Sequence, residues 1–566
     1  MKGANIKNIA LICMLLIASA VMLTLIQLPF GWSALAWVAL VPFILACSPK
    51  AEATLLAVAA YLVSLVYWLG NLYWICPVTW PGWLAFCMYT AVLWPILAFA
   101  LRYCRTKKLP LFLVVPIVFV GAERLQGLFL GGFFWRFLAH SQYANLKLIQ
   151  IADIFGTAGL SFLIAMVNGL LAELLIASGQ KGVFKIANLL KAAVVAAAVT
   201  ATVAYGQWRI SQAYKFIEPG PLVGLLQSNV PQSVKGSFQA SEAIFDQLMQ
   251  SSNKSAKAGA QLIIWPETMV QATLDPGLLR LLDSSHLARV FDKALKNHSK
   301  DTAFVLVGAY GGAAQIQEDF TIHLASRYNS AFLYLPDGTV ARQQYSKIHL
   351  VPFGEFVPFR KSFPLLYNLL MKFTPYDYDY SLDAGTEYTI FQMAGCPEKL
   401  PESYKFSVMI CYEDTVPEIA RRFAIDENGN KRLDWLVNIS NDGWFVLFNR
   451  GQVFPSTELA QHAAICAFRA VENRLAVLRS VNTGISCLID SSGRIKDGFL
   501  AGNLPNQAMQ RIGCAGWLLD RVPIDTRTTF FSKHGGWLDF CCAICLFVLI
   551  ITAIVDKKAR SRKQQG

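Results

Sequence analysis

Apolar positions crowd the two ends of this chain and thin out in between. A membrane-spanning helix needs about 20 mostly apolar residues. Eight runs approach that requirement: residues 6–25, 33–47, 53–74, 84–103, 109–120, 159–177, 189–205 and 538–555, the second and fifth being short. We therefore expect seven spans within residues 1–210, an eighth within 531–556, and a basic, disordered tail over 557–566. The first run follows Lys2 and Lys7 as a signal peptide would, but further spans come at once, which favours a retained helix. With eight spans, Lys2, Lys7, Lys50, Arg102, Arg105, Lys107, Lys108, Lys181, Lys185 and the lysines and arginines after residue 556 share one side. Basic loops stay cytoplasmic, so the long middle stretch faces outward.

Residues 211–530 carry a different pattern. Short apolar runs at 222–226, 262–265, 304–307, 331–335, 406–410, 435–439, 476–478 and 485–489 alternate with helical candidates, among them 238–257 and 461–473. Strands that are apolar on both faces and interleaved with helices predict sheets covered by helices, an α/β layered fold. Pro336-Asp337-Gly338 predicts a turn. The expected whole is a membrane α-helical bundle of eight spans joined to an α/β layered unit.

Composition refines this only a little. The chain has 566 residues, of which 55% are hydrophobic, which fits a polytopic membrane protein. The net charge of +13 sits largely in short loops and the tail, so it calls for no nucleic acid and suits anionic lipid headgroups. Of 13 cysteines, only Cys396, Cys411, Cys466, Cys487 and Cys514 lie in the middle stretch, with no Cys-x-x-Cys spacing. Neither a zinc site nor a dense disulfide framework is expected, though one bridge among the four other than Cys411 stays open. No cofactor is expected.

Three strand ends carry chemistry. The run 406–410 stops at Cys411, followed by Tyr412, Glu413 and Asp414. Buried structural duty is the ordinary fate of a cysteine, but a thiol with carboxylates and a cation nearby can be a nucleophile. Leu262-Ile263-Ile264-Trp265 runs into Pro266, which ends a strand ladder and leaves Glu267 at the tip, where a dry carboxylate can take a proton. Lys347 precedes a Pro- and Gly-punctuated segment around Glu355, and its ammonium can hold an oxyanion. His349 is tempting as a base, but Lys347 and Glu355 already serve the segment, so we read it as structural.

Trp265-Pro266-Glu267, the segment from Tyr345 to Pro358, Cys411-Tyr412-Glu413, the segment from Asn438 to Phe445, and Arg469-Ala470-Val471-Glu472-Asn473-Arg474 resemble the apolipoprotein N-acyltransferases, a membrane-bound branch of the nitrilase superfamily. Gly131 to Trp135 with Ser141-Gln142 resembles that family's outer loop. The resemblance implies an αββα sandwich and a ping-pong acyl transfer. Glu267 would be the general base, Cys411 the nucleophile, and Lys347 with the Tyr412 N–H the oxyanion holders. Glu355 and Glu413 would orient Lys347 and its surroundings, and Trp444 and Phe445 would lie on a mobile substrate loop. The implied donor is a phospholipid, phosphatidylethanolamine at its first acyl position, and the acceptor a diacylglyceryl lipoprotein. The implied setting is the bacterial inner membrane with the catalytic domain in the periplasm, working as a monomer without metal. Lys235-Gly236 stands where the family usually has Lys-Trp, and residues 446–456 are unusual for its lid.

Three other functions compete. A membrane-tethered amidase would use the same three residues with water as acceptor. A transporter would need an intramembrane ionic relay, whereas Glu52, Glu123, Arg124 and Glu173 lie at or near span ends. A non-catalytic binding homologue would have no need of an intact Glu267, Lys347 and Cys411.

Overall fold

The computed structural model describes residues 6–128, 131–178, 185–232, 235, 238–316, 322–360, 362–372, 374, 380–394, 403–449 and 452–565. Lys2, Lys181, Gly236 and Cys396 lie outside the described residues. Two compact units emerge, one from Met1–Cys76, Trp80–Ser211 and His534–Gly566, the other from Gln212–Lys533 with Pro77–Thr79.

The first unit is helical. Among the described residues, six helices are long and apolar enough to cross a membrane: Lys7–Leu25, Ala53–Asn71, Trp80–Thr106, Thr157–Ser178, Ile186–Lys215 and Trp537–Ala559. The second expected span is only a short apolar segment, Ser33–Ala46, and the fifth is the helix Leu111–Gln126 of 16 residues. At 1.5 Å per residue that helix is about 24 Å long, short of a hydrocarbon core of about 30 Å. Eight full-length spans are therefore not what length and apolarity alone deliver. The last helix also continues to Gln565, through the basic residues expected to be a disordered tail. Small residues let these helices approach closely: a Cβ on Gly121 would sit 2.7 Å from the Cys542 carbonyl oxygen. Buried Asn168 accepts from the Leu40 N–H at 2.9 Å and donates to the Ala36 carbonyl at 2.9 Å, satisfying backbone where the short apolar segment breaks its helix.

Among the described residues the second unit holds two large sheets and one two-stranded hairpin. One is seven-stranded, ordered Gly516–Asp525, Ile217–Gln227, Leu262–Ile264, Phe304–Ile316, Ile322–Tyr334 and Tyr345–Ser346, with Val270–Thr273 paired to Phe304–Ile316. The other is six-stranded, ordered Ile495–Lys496, Cys487–Ile489, Ala476–Val481, Trp435–Ser440, Tyr404–Ile410 and Phe391–Met393. Three consecutive inner strands of each large sheet run parallel, as continuous apolar runs favour.

On the first sheet, Phe245 from the helix Phe238–Lys257 stacks on Phe291 from the helix Leu287–Ser299 at 4.1 Å, over Trp265, Ile263 and Val305. Full burial of each such side chain is worth about 1.5–3 kcal/mol. On the second sheet lie the helices Pro417–Ala424 and Glu458–Asn473, the latter buried along its whole length. The sheets are pinned to each other by Ser480, whose hydroxyl lies 2.8 Å from the carbonyl oxygens of both Leu226 and Ile264. The expected helix-covered sheets are thus present. The turn at Pro336–Gly338 is present too, with Gly338 at φ +81° and its N–H donating to the Leu335 carbonyl at 2.9 Å.

Candidate active site

Glu267 and Cys411 follow the C-terminal ends of inner parallel strands, where α/β sheets place their chemistry, and Lys347 joins them from the end of the edge strand Tyr345–Ser346. The strand Leu262–Ile264 is followed by Trp265, whose N–H still reaches the Leu306 carbonyl at 2.9 Å. Pro266 then ends the ladder and Glu267 turns into the interior, 4% exposed. Gly308 makes this turn possible, because a Cβ there would stand 2.7 Å from Thr268 N and 2.8 Å from Glu267 Cα.

Glu267 is tightly held. Its Oε1 accepts from Asn329 Nδ2 at 2.7 Å and its Oε2 from the Asn441 N–H at 2.7 Å. Lys347 Nζ is 3.8 Å from Oε1. Burial pushes this carboxyl above the usual 4.5; Lys347 opposes the rise, and the like charge of Glu355 adds to it. A base with raised affinity for protons, still partly held ionised, suits a thiol partner.

Lys347 follows the two-residue strand Tyr345–Ser346 and is 1% exposed. Its ammonium contacts Glu355 Oε2 at 2.7 Å. Burial pulls the ammonium's pKa down, but Glu355, Cys411 and Glu267 outweigh it, so Lys347 stays charged. Asn329 Nδ2 also reaches Glu355 Oε1 at 3.0 Å, so one amide spans both carboxylates.

Cys411 opens the 3₁₀ turn Cys411–Thr415 with φ +53°, a left-handed conformation costing a non-glycine residue on the order of 1–2 kcal/mol. Its carbonyl accepts from Asn438 Nδ2 at 3.1 Å. Burial raises the thiol well above 9.0 and Glu267 adds to this, while Lys347 lowers it. The resting sulfur is therefore a thiol that needs a base.

Glu413, fully buried, does not pair with Lys347 directly. It accepts from the Tyr345 hydroxyl at 2.8 Å on both oxygens, and from the N–H groups of Ile348, His349 and Ile410 at 2.8, 3.0 and 2.7 Å. Burial pushes it up to about 7, yet four donor groups converge on it and only the carboxylate accepts from all. Glu413 thus ties the segment after Lys347 to the turn that carries Cys411. Tyr412 is half-buried, its ring 6.0 Å from that of His349. Trp444 and Phe445 are half-buried on the turn Asp442–Phe445, directly after Asn441. The hairpin Leu447–Asn449 with Gln452–Phe454 follows, exposing Leu447, Phe448 and Phe454.

Three further residues escaped the sequence reading. Asn329 is one polar position within a long strand, Ile322–Tyr334, and nothing local marks it. Asn441 acts through its backbone, which no side-chain motif reports. Lys235, noted only for the residue after it, is buried and donates to Thr268 Oγ1 at 2.7 Å; burial lowers it to about 7 while Glu267 pulls the other way. The cysteines among the described residues are free, including Cys466, Cys487 and Cys514. Asp442, Glu458 and His462 bring ligand atoms within 4.8 Å of one another, as a metal would require. The Arg479 guanidinium, 3.6 Å from Asp442 Oδ2, already supplies a cation there.

The two-sheet sandwich whose strand ends gather this buried carboxylate, ammonium and thiol is of the carbon–nitrogen hydrolase class: the carbon-nitrogen hydrolase family pattern matches residues 222–501. The pattern for the apolipoprotein N-acyltransferase N-terminal domain matches residues 19–170. An apolipoprotein N-acyltransferase of Geobacter metallireducens is 32% identical over 552 residues, 93% of this chain and 92% of that protein. One of Bradyrhizobium diazoefficiens is 28% identical over 82% of this chain and 77% of its own. The chain belongs to the apolipoprotein N-acyltransferase family. Among solved structures, an amidase from Nesterenkonia sp. aligns with 55% of this chain and 94% of its own at 14% identity and a TM-score of 0.34. Nit3 of Saccharomyces cerevisiae aligns with 54% and 91% at 15% identity and a TM-score of 0.33.

Proposed function

We propose that this protein moves a fatty acyl chain from a phospholipid, through a thioester on Cys411, to the α-amine of a lipoprotein's N-terminal diacylglyceryl-cysteine. Glu267 takes the Cys411 proton and the thiolate attacks the ester carbonyl. Lys347 and the Tyr412 N–H hold the resulting oxyanion. The tetrahedral intermediate collapses, its C–O bond breaks, and the lysophospholipid leaves with the proton returned by Glu267. The lipoprotein amine then attacks the thioester, Glu267 accepts the amine's proton, and Cys411 is released as a thiol. Glu355 orients Lys347, Glu413 sets the spacing of the two segments, and Trp444 and Phe445 line the substrate's approach.

One arrangement carries this reading: the buried Lys347 lies 3.8 Å from Glu267, and Glu413 ties the residues after Lys347 to the turn that carries Cys411. Membership of the acyltransferase family favours an amine acceptor over water. The membrane helices fit lipid substrates, because exposing a long acyl chain at about 0.8 kcal/mol per CH₂ would cost more than about 10 kcal/mol. The basic loops favour a periplasmic catalytic unit in a bacterial inner membrane. Phosphatidylethanolamine as donor and action as a monomer complete the proposal.

Incubation with radiolabelled phospholipid should give a hydroxylamine-sensitive adduct on Cys411. Cys411→Ala should form none and leave a lipoprotein's N-terminal peptide diacylated by mass spectrometry. A triacylated peptide made by Cys411→Ala, with no second enzyme present, refutes the proposal.

A further inference from the structure

Adjoining the site is a second buried charge cluster that the mechanism above does not use. His462, on the helix Glu458–Asn473, is 1% exposed. Its Nε2 lies 2.7 Å from Asp414 Oδ1, and its Nδ1 lies 3.3 Å from Asp442 Oδ1 and 3.1 Å from Glu458 Oε1. Asp414 belongs to the strained turn that begins at Cys411. Asp442 directly follows Asn441, whose N–H holds Glu267. One ring therefore bridges the turn of the nucleophile and the turn that fixes the base.

Arg479 completes the frame from the strand Ala476–Val481. Its Nη1 contacts Asp414 Oδ2 at 2.5 Å and donates to Asn438 Oδ1 at 2.9 Å. That second bond orients the Asn438 amide so that its Nδ2 donates to the Cys411 carbonyl. Ser440 donates to Asp442 Oδ1 at 2.5 Å. Gly484 leaves room for Asp442, because a Cβ there would collide with Asp442 Oδ2.

We propose that His462, bridging Asp414 and Asp442, is a positioning residue that holds Cys411 and Glu267 at one spacing. This rests on the reading of those two residues as nucleophile and base. Nε2 hydrogen-bonds Asp414 while Nδ1 stands within ion-pair distance of Asp442 and Glu458, a surround of carboxylates that favours the charged ring. Burial would strip that charge, but Asp414 and Asp442 outweigh it and hold His462 well above 6.5 even beside Arg479. The other groups facing the ring are Glu458, raised by burial to about 7, and Cys466, a thiol that bonds Asp414. The charged ring thus joins the two turns through Asp414 and Asp442.

The test uses the full-length protein in phospholipid vesicles, with rapid-quench measurement of the labelled Cys411 adduct against pH. His462→Gln removes the charge of the ring and its reach to both turns. Gly484→Ala displaces Asp442 while leaving every charge in place. Both variants should slow single-turnover acylation at least tenfold and leave half-saturating phospholipid within twofold of wild type. Both should also move the acid midpoint of the rate upward, because Glu267 loses the Asn441 N–H that favours its ionised form. If His462→Gln folds poorly, the double variant with Glu458→Gln restores charge balance and should show the same midpoint shift. A wild-type rate and midpoint in these variants overturns the proposal. So does a loss of rate that only tracks the fraction folded with the midpoint unmoved, or a stoichiometric metal in wild type that vanishes in His462→Gln. No adduct on Cys411 in the wild type fails the parent reading instead.

Discussion

Replacing Glu355 by glutamine removes one charge at almost constant shape, and its consequence can be worked from two distances. Lys347 now divides itself between Glu355 at 2.7 Å and Glu267 at 3.8 Å. Without the Glu355 charge, the ammonium closes on Glu267 to an ion-pair distance of about 2.8 Å. At an effective dielectric constant of about 20, that approach deepens the Lys347–Glu267 attraction from about 4.4 to about 5.9 kcal/mol. The gain of about 1.5 kcal/mol lowers the Glu267 pKa by about one unit. Loss of the like charge of Glu355 acts in the same direction. Acylation requires ionised Glu267, so its rate falls as pH drops through that pKa, and in Glu355→Gln the fall begins about one unit lower. The plateau rate falls about 100-fold, because the base is weaker and the ammonium has left the oxyanion position. Single-turnover labelling of Cys411 between pH 4 and 8 measures both quantities. An acid midpoint that stays or rises, or an undiminished plateau, would refute the assignment of Lys347 as an ammonium held away from Glu267 by Glu355.

Three further outcomes are expected. Asn329→Ala removes the donor shared by Glu267 and Glu355 at 2.7 and 3.0 Å, so the same acid midpoint should move upward, opposite to Glu355→Gln. In Gly308→Ala the new Cβ meets backbone at Thr268 and Glu267, so the loop must shift. Stability should fall by about 1–3 kcal/mol in urea titrations, while acylation falls about 100-fold from a misplacement of about 1 Å. Ser480→Val removes the hydroxyl between Leu226 and Ile264; it should cost about 1–3 kcal/mol of stability in the same titrations and leave the Cys411 labelling rate per folded molecule unchanged.

Apolar periodicity alone determined that the chain divides into membrane helices and an α/β unit, because burial on both faces of a strand or all round a helix writes itself into consecutive residues. It located most of the inner strands, and with them the points where chemistry emerges. Strand ends are legible because proline or a run of polar residues breaks the ladder, as at Pro266 and after Ile410. Span length was less legible. The segments around residues 33–46 and 111–126 are apolar like their neighbours, and their shortness shows only where the helices stop.

What joins Glu267 to Lys347 and Cys411 was decided only in three dimensions. They stand on three strands of two sheets, separated in sequence by 80 residues and then 64, so that no local rule relates them. Asn329 earns its place by facing two carboxylates across the fold, and Asn441 by pointing a backbone N–H that any residue type would supply. The bridge through His462 has the same origin: Asp414 and Asp442 reach one imidazole because helix and strand packing carries two distant turns to the same ring. A sequence records which groups are available. Which of them share a dry, low-dielectric space, where a charge must find its partner or be lost, is fixed by the packing of the sheets.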